Sequence, residues 1–301
     1  MKLVIICLII LLVLAVLYLL MLMPRMIGKP SDREYFAKFL YAHRGLHDNK
    51  AEAPENSMAA FRKAVDGGYG IELDVQLTKD NIPVIFHDYE LARIARYEKG
   101  KEPQDAVKLD DGSIGVKGKV CDYTYDELLE FHLLNSDEKI PKFTDFLEMV
   151  SGKVPLIIEY KIEFKDVSVC RIADRILRDY KGKYCIESFN PLGVLWYRKN
   201  HTEIMRGQLS DVFYKEDPVH YRKPLYFLLS NLMFNFLTKP DFIAYNQQFE
   251  NALARRICRY LYKNIAAAWT IKSQENLEAN KDKFDIFIFD SFIPKNGPHT
   301  I

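Results

Sequence analysis

From Leu40 to the end of the chain, short apolar runs alternate with segments of helical period. That alternation narrows the fold more than any other feature. The runs are Leu40–Arg44, Gly70–Val75, Val154–Lys161, Tyr184–Phe189, Glu203–Leu209, Asp241–Asn246, Ile265–Ile271 and Asp285–Asp290. Helical segments lie between them at Asn56–Asp66, Val167–Tyr180, Pro191–Asn200, Glu250–Lys263 and Gln274–Lys283. Val169, Ile172, Ala173, Ile176, Leu177 and Tyr180 form one stripe at helical spacing, as a sheet-covering helix requires. Asn190-Pro191 reads as a helix start, with Asn as cap and Pro in the first turn. Eight strands with intervening helices predict an α/β chain of the (β/α)8, TIM-type barrel class. An open doubly wound sheet is the alternative, and the lack of a Gly-rich strand-to-helix turn weakens it.

One run breaks the rhythm. Ile82–His87 follows the second strand after only a few residues, too few for a parallel crossover, so the two form an antiparallel hairpin. A two-residue loop at Lys79-Asp80 sets His87 opposite Glu72, and one at Asp80-Asn81 sets it opposite Asp74. Either register brings His87 beside two carboxylates; a three-residue loop would not.

The first segment stands apart. Leu3 to Met23 carries no charge, and 21 residues span about 30 Å as a helix, enough to cross a bilayer core. A cleaved signal peptide is the rival reading, but the run is long and ends in Met21-Leu22-Met23-Pro24 without a small-residue cleavage pattern. The expected division is an anchor over residues 1–24, a juxtamembrane linker over 25–39 and a barrel domain over 40–301. A single-pass membrane protein follows, held to the bilayer through residues 3–23. Arg25, Lys29 and Arg33 after the span, against Lys2 before it, favour a cytoplasmic barrel, as do unpaired cysteines at 121, 170, 185 and 258. The cysteines show no metal-like spacing and read as small hydrophobes. With 42 basic and 41 acidic residues the chain has no charge surplus for nucleic acid.

Barrels of this class carry their chemistry at the carboxyl ends of the strands. There the sequence sets His43 and Arg44, then Glu72 and Asp74, then His87 and Asp88, then Glu159 and Lys161. A buried salt-bridge network is the bland explanation. Three carboxylates converging on one mouth repel each other, however, and a hard divalent cation, Mg2+ or Ca2+, relieves that repulsion. Two histidines beside it suit proton transfer, and Arg44 and Lys161 suit an anionic substrate. Together these groups point to phosphoryl chemistry. No P-loop is present, which argues against an NTP-dependent kinase.

At these residues the chain resembles the glycerophosphodiester phosphodiesterase family. The resemblance runs through His43-Arg44-Gly45, Pro54-Glu55-Asn56-Ser57 with Ala60-Phe61, and Glu72-Leu73-Asp74-Val75. It continues through Thr78-Lys79-Asp80, His87-Asp88 and Glu159-Tyr160-Lys161, with fainter echoes at Ser188-Phe189 and Trp269-Thr270. It implies that Glu72, Asp74 and Glu159 bind one divalent cation and that His43 and His87 are the acid–base pair. Arg44 and Lys161 would hold the phosphate of a small or lipid-derived phosphodiester, and Trp269 would line the glycerol pocket. The implied reaction yields glycerol 3-phosphate and an alcohol. Phospholipase D-like cleavage of lysophospholipids and a non-catalytic barrel binding phospholipid headgroups are the rival functions.

The chain departs from the family pattern in places. Tyr160 stands where Ile is frequent, Ser57 where Thr is, and Phe289-Asp290 where a Thr-Asp pair is usual, which puts a role for the last strand's tip in doubt. Tyr89–Lys119 is expected to be a loop shaping the pocket. Leu225–Leu237 reads either as a barrel-covering helix or as a segment dipping into lipid beside the mouth. His47, His132, His201, His220 and His299 read as surface residues, and Asn56 as a helix cap.

Overall fold

The computed structural model describes residues 1–30, 32–213 and 224–300. Eight parallel strands close into a barrel: β1 (Leu40–His43), β2 (Gly70–Leu77), β3 (Leu156–Tyr160), β4 (Tyr184–Ser188), β5 (Arg206–Ser210), β6 (Phe242–Asn246), β7 (Ile265–Ile271) and β8 (Ile286–Phe289). Each pairs with its sequence neighbours, and β1 closes the ring against β8 and β2.

Side chains alternate between two cores, as the strand period demands. Tyr41, Ile157, Cys185, Met205, Leu209, Phe242, Ala244, Ile265, Ala267, Ile286 and Ile288 fill the barrel with Phe36. Ala42, Ile71, Leu73, Ile158, Ile186, Ala268 and Phe287 face the helices. Two glycines make the interior fit. A Cβ on Gly70 would lie 2.6 Å from the Tyr41 ring, and one on Gly207 would lie 2.2 Å from the Phe242 ring. Continuing the inward period to the carboxyl ends brings His43, Glu72, Asp74, Glu159, Glu187, Trp269 and Asp290 to one mouth.

The hairpin does not take either expected register. Val75 pairs with Ile85, Gln76 with Val84 and Leu77 with Pro83. The loop is therefore the three residues Lys79–Asn81, closed by the Thr78 amide on the Ile82 carbonyl at 3.1 Å, with Asn81 at φ 62°. The Thr78 hydroxyl causes this: it donates to Asp80 at 2.5 Å and accepts the Ile82 amide at 2.9 Å. A continued ladder would turn His87 to the wrong face, but the strand stops at Ile85. Gln76 Nε2 then holds the carbonyls of Phe86 (2.8 Å) and Asp88 (2.7 Å), curling His87 back over the mouth.

Residues 89–119 are more than a loop. Ala95–Arg96, Val107–Lys108, Ile114–Gly115 and His132–Leu133 form a small antiparallel sheet. It has its own core, including Val84, Leu91, Ile94, Val120, Leu128 and Phe131. The helix after the first strand starts later than expected, at Met58, and Ser57 caps it by accepting the Ala60 amide. The expected helix Glu250–Lys263 is a short α-turn, Leu253–Arg256, continued by a π-helical turn, Ile257–Leu261.

Among the described residues one helix, Lys2–Leu22, is long and apolar enough to cross a membrane, and none of its apolar window is buried. Its last turn is fastened to the barrel. Asn235 Nδ2 donates to the Leu22 carbonyl (3.0 Å), Tyr262 Oη to that of Leu19 (2.7 Å) and Lys239 Nζ to that of Met23 (3.1 Å). Arg25 pairs with Asp241 at 3.4 Å and donates to the Thr202 carbonyl at 2.8 Å. Thr202, Asp241 and Tyr262 precede β5, β6 and β7, so the helix joins the floor of the barrel, opposite the mouth.

Candidate active site

Glu72, Asp74 and Glu159 are buried, and each offers an oxygen within 4.8 Å of the others'. Strand register brings them together: Asp74 lies beside Glu159, and Glu72 beside Ile157 one step earlier. Lys161 Nζ sits 2.9 Å from Asp74 Oδ1 and 2.7 Å from Glu159 Oε1. Arg44 turns at φ 56°, so its amide donates to Glu72 Oε2 at 3.1 Å while its Nε lies 3.7 Å from Asp74. Asn56, also left-handed, is no helix cap; its Nδ2 donates to Asp74 Oδ2 at 2.9 Å.

These contacts separate the three acids. Burial, then Asp74 and Glu159, push Glu72 well above the usual carboxylate range. Against burial, Lys161, His87 and Arg44 hold Asp74 well below it. Burial outweighs Lys161 at Glu159, which rises to about 7. The donor set is oxygen only, and Asn56 Oδ1 is a buried acceptor without a donor among the described residues. Hard divalent cations take such oxygens at about 2.0–2.6 Å. Three carboxylates so close therefore fit one such ion.

Two imidazoles flank the acids, each backed by a carboxylate on Nδ1. His43 Nδ1 meets Asp290 Oδ2 at 3.0 Å, and its Nε2 lies 4.0 Å from Glu72. His87 Nδ1 meets Asp88 Oδ1 at 2.5 Å. Burial and then Arg44 bring His43 down to about 4, against the pull of Asp290. Burial lowers His87 also, while Asp74 favours its protonated form. The last strand's tip therefore touches the site: Asp290, just past β8, contacts His43.

Several participants escape sequence reasoning. Glu55 is buried and receives Arg44 (2.6 Å), Arg93 (2.6 and 2.9 Å) and Asn49 (2.8 Å). Arg93, from the small sheet's domain, also grips Asp88 at 2.5 and 3.0 Å. One guanidinium thereby ties the partner of Arg44 to the partner of His87. The Pro54-Glu55-Asn56-Ser57 motif signals Glu55; nothing local signals Arg93. His47 is half-buried, with a ring nitrogen within 4.8 Å of His43 and Asp290. His201 bridges Asp174 and Glu203 at 3.0 Å each, and His132 meets the Tyr97 carbonyl, so these three are not simple surface residues. His299 is exposed, and His220 lies outside the described residues. Cys170, Cys185 and Cys258 pack as small hydrophobes, whereas Cys121 is exposed.

Trp269 stands at the end of an aromatic run. Its ring lies 5.6 Å from Phe189, which lies 5.8 Å from Phe213, itself 5.8 Å from Tyr226. Trp269 Nε1 has no acceptor among the described residues.

Comparison with known proteins agrees with this geometry. A glycerophosphodiester phosphodiesterase of Bacillus altitudinis is 34% identical over 131 residues, 41% of this chain and 44% of that protein. One of Caldanaerobacter subterraneus is 30% identical over 161 residues, 50% of this chain and 57% of that protein. These matches span about half the length of the relatives. An Oleispira antarctica phosphodiesterase, solved with the product sn-glycerol-3-phosphate, superposes with TM-score 0.62 at 20% identity, covering 85% of this chain and 94% of that one. A glycerophosphodiester phosphodiesterase of Thermotoga maritima superposes with TM-score 0.55 at 25% identity, covering 83% and 93%. The model of the glycerophosphoryl diester phosphodiesterase family matches residues 43–291, nearly the whole barrel, and the chain belongs to that family.

Proposed function

We propose that this chain hydrolyses glycerophosphodiesters to glycerol 3-phosphate and an alcohol, as a single-pass membrane protein. The observation that carries the reading is the mouth itself: three buried carboxylates within 4.8 Å, flanked by two carboxylate-backed imidazoles. Glu72, Asp74 and Glu159 would hold one divalent cation, Mg2+ or Ca2+. When bound, the ion supplies positive charge to a phosphate oxygen.

The remaining work falls to side chains. Arg44 and Lys161 hold the phosphate and balance its developing charge. Trp269 lines the glycerol face. His43, neutral at pH 7 and fixed by Asp290, accepts the proton of the glycerol hydroxyl neighbouring the phosphate through Nε2. That oxygen bonds to phosphorus, the bond to the alcohol oxygen breaks, and His87 protonates the leaving alkoxide. Water then opens the cyclic ester with the two imidazoles exchanging roles, giving glycerol 3-phosphate and restoring both rings.

Membrane attachment is supported by an inverted polarity beside the anchor. In the segment 225–237, Ser230 and Asn235 are buried while Leu225, Phe227, Phe236 and Leu237 are exposed. Asn235 itself holds the anchor's end, so Phe236 and Leu237 would lie where a bilayer begins. The flanking basic residues favour a cytoplasmic barrel.

A second reading, cleavage of lysophospholipids, draws on the aromatic run from Trp269 to Tyr226, which offers an acyl chain an apolar wall. Attachment at the floor turns the mouth from the anchor and favours the deacylated, water-soluble substrate. The experiment is direct. Detergent-solubilised full chain, glycerophosphocholine and Mg2+ or Ca2+ are assayed for glycerol 3-phosphate, beside lysophosphatidylcholine. Product formation rules out a mere headgroup binder. Activity retained in Glu72→Ala or His43→Ala would overturn the reading.

A further inference from the structure

A fourth acid lies in the barrel interior, outside the roles given above. Glu187 sits on β4 in register with Glu159 of β3. It lies between Cys185, part of the inner core, and Phe189, beside Trp269, so the strand period directs it inward. Only 1% of it is exposed. It has no hydrogen bond or ion pair with any described residue, and its Oε2 is wholly shielded. Buried carboxylates without donors are costly and rare, so this one calls for a partner.

Its charged neighbours are mostly acids. Glu159 and Asp74 are the charges that act most strongly on Glu187, and Lys161 is the cation opposing them.

We propose that Glu187 is a fourth carboxylate of the cation site, reaching the ion through an intervening water. No Glu187 oxygen belongs to the set lying within 4.8 Å of one another, which places it beyond direct ligation alongside the other three. The inference rests on the reading that Glu72, Asp74 and Glu159 hold a divalent cation. It assigns to this chain an oxygen acceptor that fixes one face of the ion's hydration, a role that tunes affinity in proportion to ligand charge.

The test is calorimetric titration of the cation-free full chain in detergent with CaCl2 and with MgCl2, comparing wild type, Glu187→Gln, Glu187→Met and Glu72→Gln. Wild type binds one ion. Both Glu187 variants bind it about tenfold or more weakly. Their cation-free melting temperatures match or exceed that of wild type, because a buried unpaired acid has been removed. The gain in melting temperature on adding Ca2+ is correspondingly smaller. Affinity within twofold of wild type in Glu187→Gln overturns the proposal, as does a lowered cation-free melting temperature in both variants. If wild type binds no ion, or Glu72→Gln binds as wild type does, the underlying cation reading fails instead.

Discussion

Replacing Asp290 by Asn tests whether the tip of the last strand serves the reaction. Asp290 Oδ2 lies 3.0 Å from His43 Nδ1, and its Oδ1 accepts the Ser291 hydroxyl at 2.7 Å, so the carboxylate is held in one orientation. With Asp290 ionised, that arrangement favours the tautomer with the His43 proton on Nδ1, leaving Nε2 free for the base role proposed above. Asn keeps the volume but offers an amide that stabilises the wrong tautomer. A hydrogen bond to a charged group contributes about 1.5–3 kcal/mol. Lost only as His43 takes up a proton, that lowers kcat about 10- to 100-fold at about 1.4 kcal/mol per decade. KM should stay within about threefold of wild type, because Asp290 is not assigned to substrate. The charge of Asp290 favours the imidazolium, so its removal moves the acidic limb of the rate profile to lower pH. Steady-state kinetics on glycerophosphocholine from pH 4 to 9 give all three quantities. A kcat within twofold of wild type, or an acidic limb moved upward, refutes the argument.

Other outcomes follow from the same contacts. Lys161→Met leaves Asp74 and Glu159 without their shared ammonium and should destabilise the cation-free chain by about 3–5 kcal/mol in urea unfolding. Added Ca2+ should restore part of that, and unchanged stability would contradict it. Arg93→Gln frees Glu55 and Asp88 together. Because Arg93 is half exposed, kcat/KM should fall about tenfold at most, with no fall at all counting against the clamp. His43 is held near 4 in the folded chain and titrates near 6.5 when unfolded. The unfolded state therefore binds the proton first, and stability is flat above about pH 6.5 and lost as pH drops toward 4. The loss approaches about 3 kcal/mol, and His43→Asn should abolish that part of the slope in cation-free urea melts.

The barrel was legible because its strands are buried on both faces and read as unbroken apolar runs. Acidic and basic residues ending such runs, as in Leu156–Lys161, mark the mouth because a charge closing an apolar run needs a partner. What escaped depends on contacts that spacing does not carry. The hairpin register turns on one hydroxyl, that of Thr78, which widens the loop by a residue. His87 reaches the mouth by an amide, Gln76, rather than by ladder register. The strands of the small sheet are two residues long, too short for any period to show. Arg93 lies in that sheet's domain and meets the site only through tertiary folding. Glu187 reads as one polar residue in a strand, and only burial without a donor marks it out.

In the proposed site, acids from β2 and β3 gather one divalent ion between two imidazoles. Crystals of the full chain grown with Mn2+, whose anomalous scattering reports its position, test this most directly. A single strong peak is expected about 2.0–2.6 Å from oxygens of Glu72, Asp74 and Glu159, with His43 and His87 on either side. A mouth without a peak, or an ion bound elsewhere while the three carboxylates stay paired with Lys161 and Arg44 alone, contradicts it.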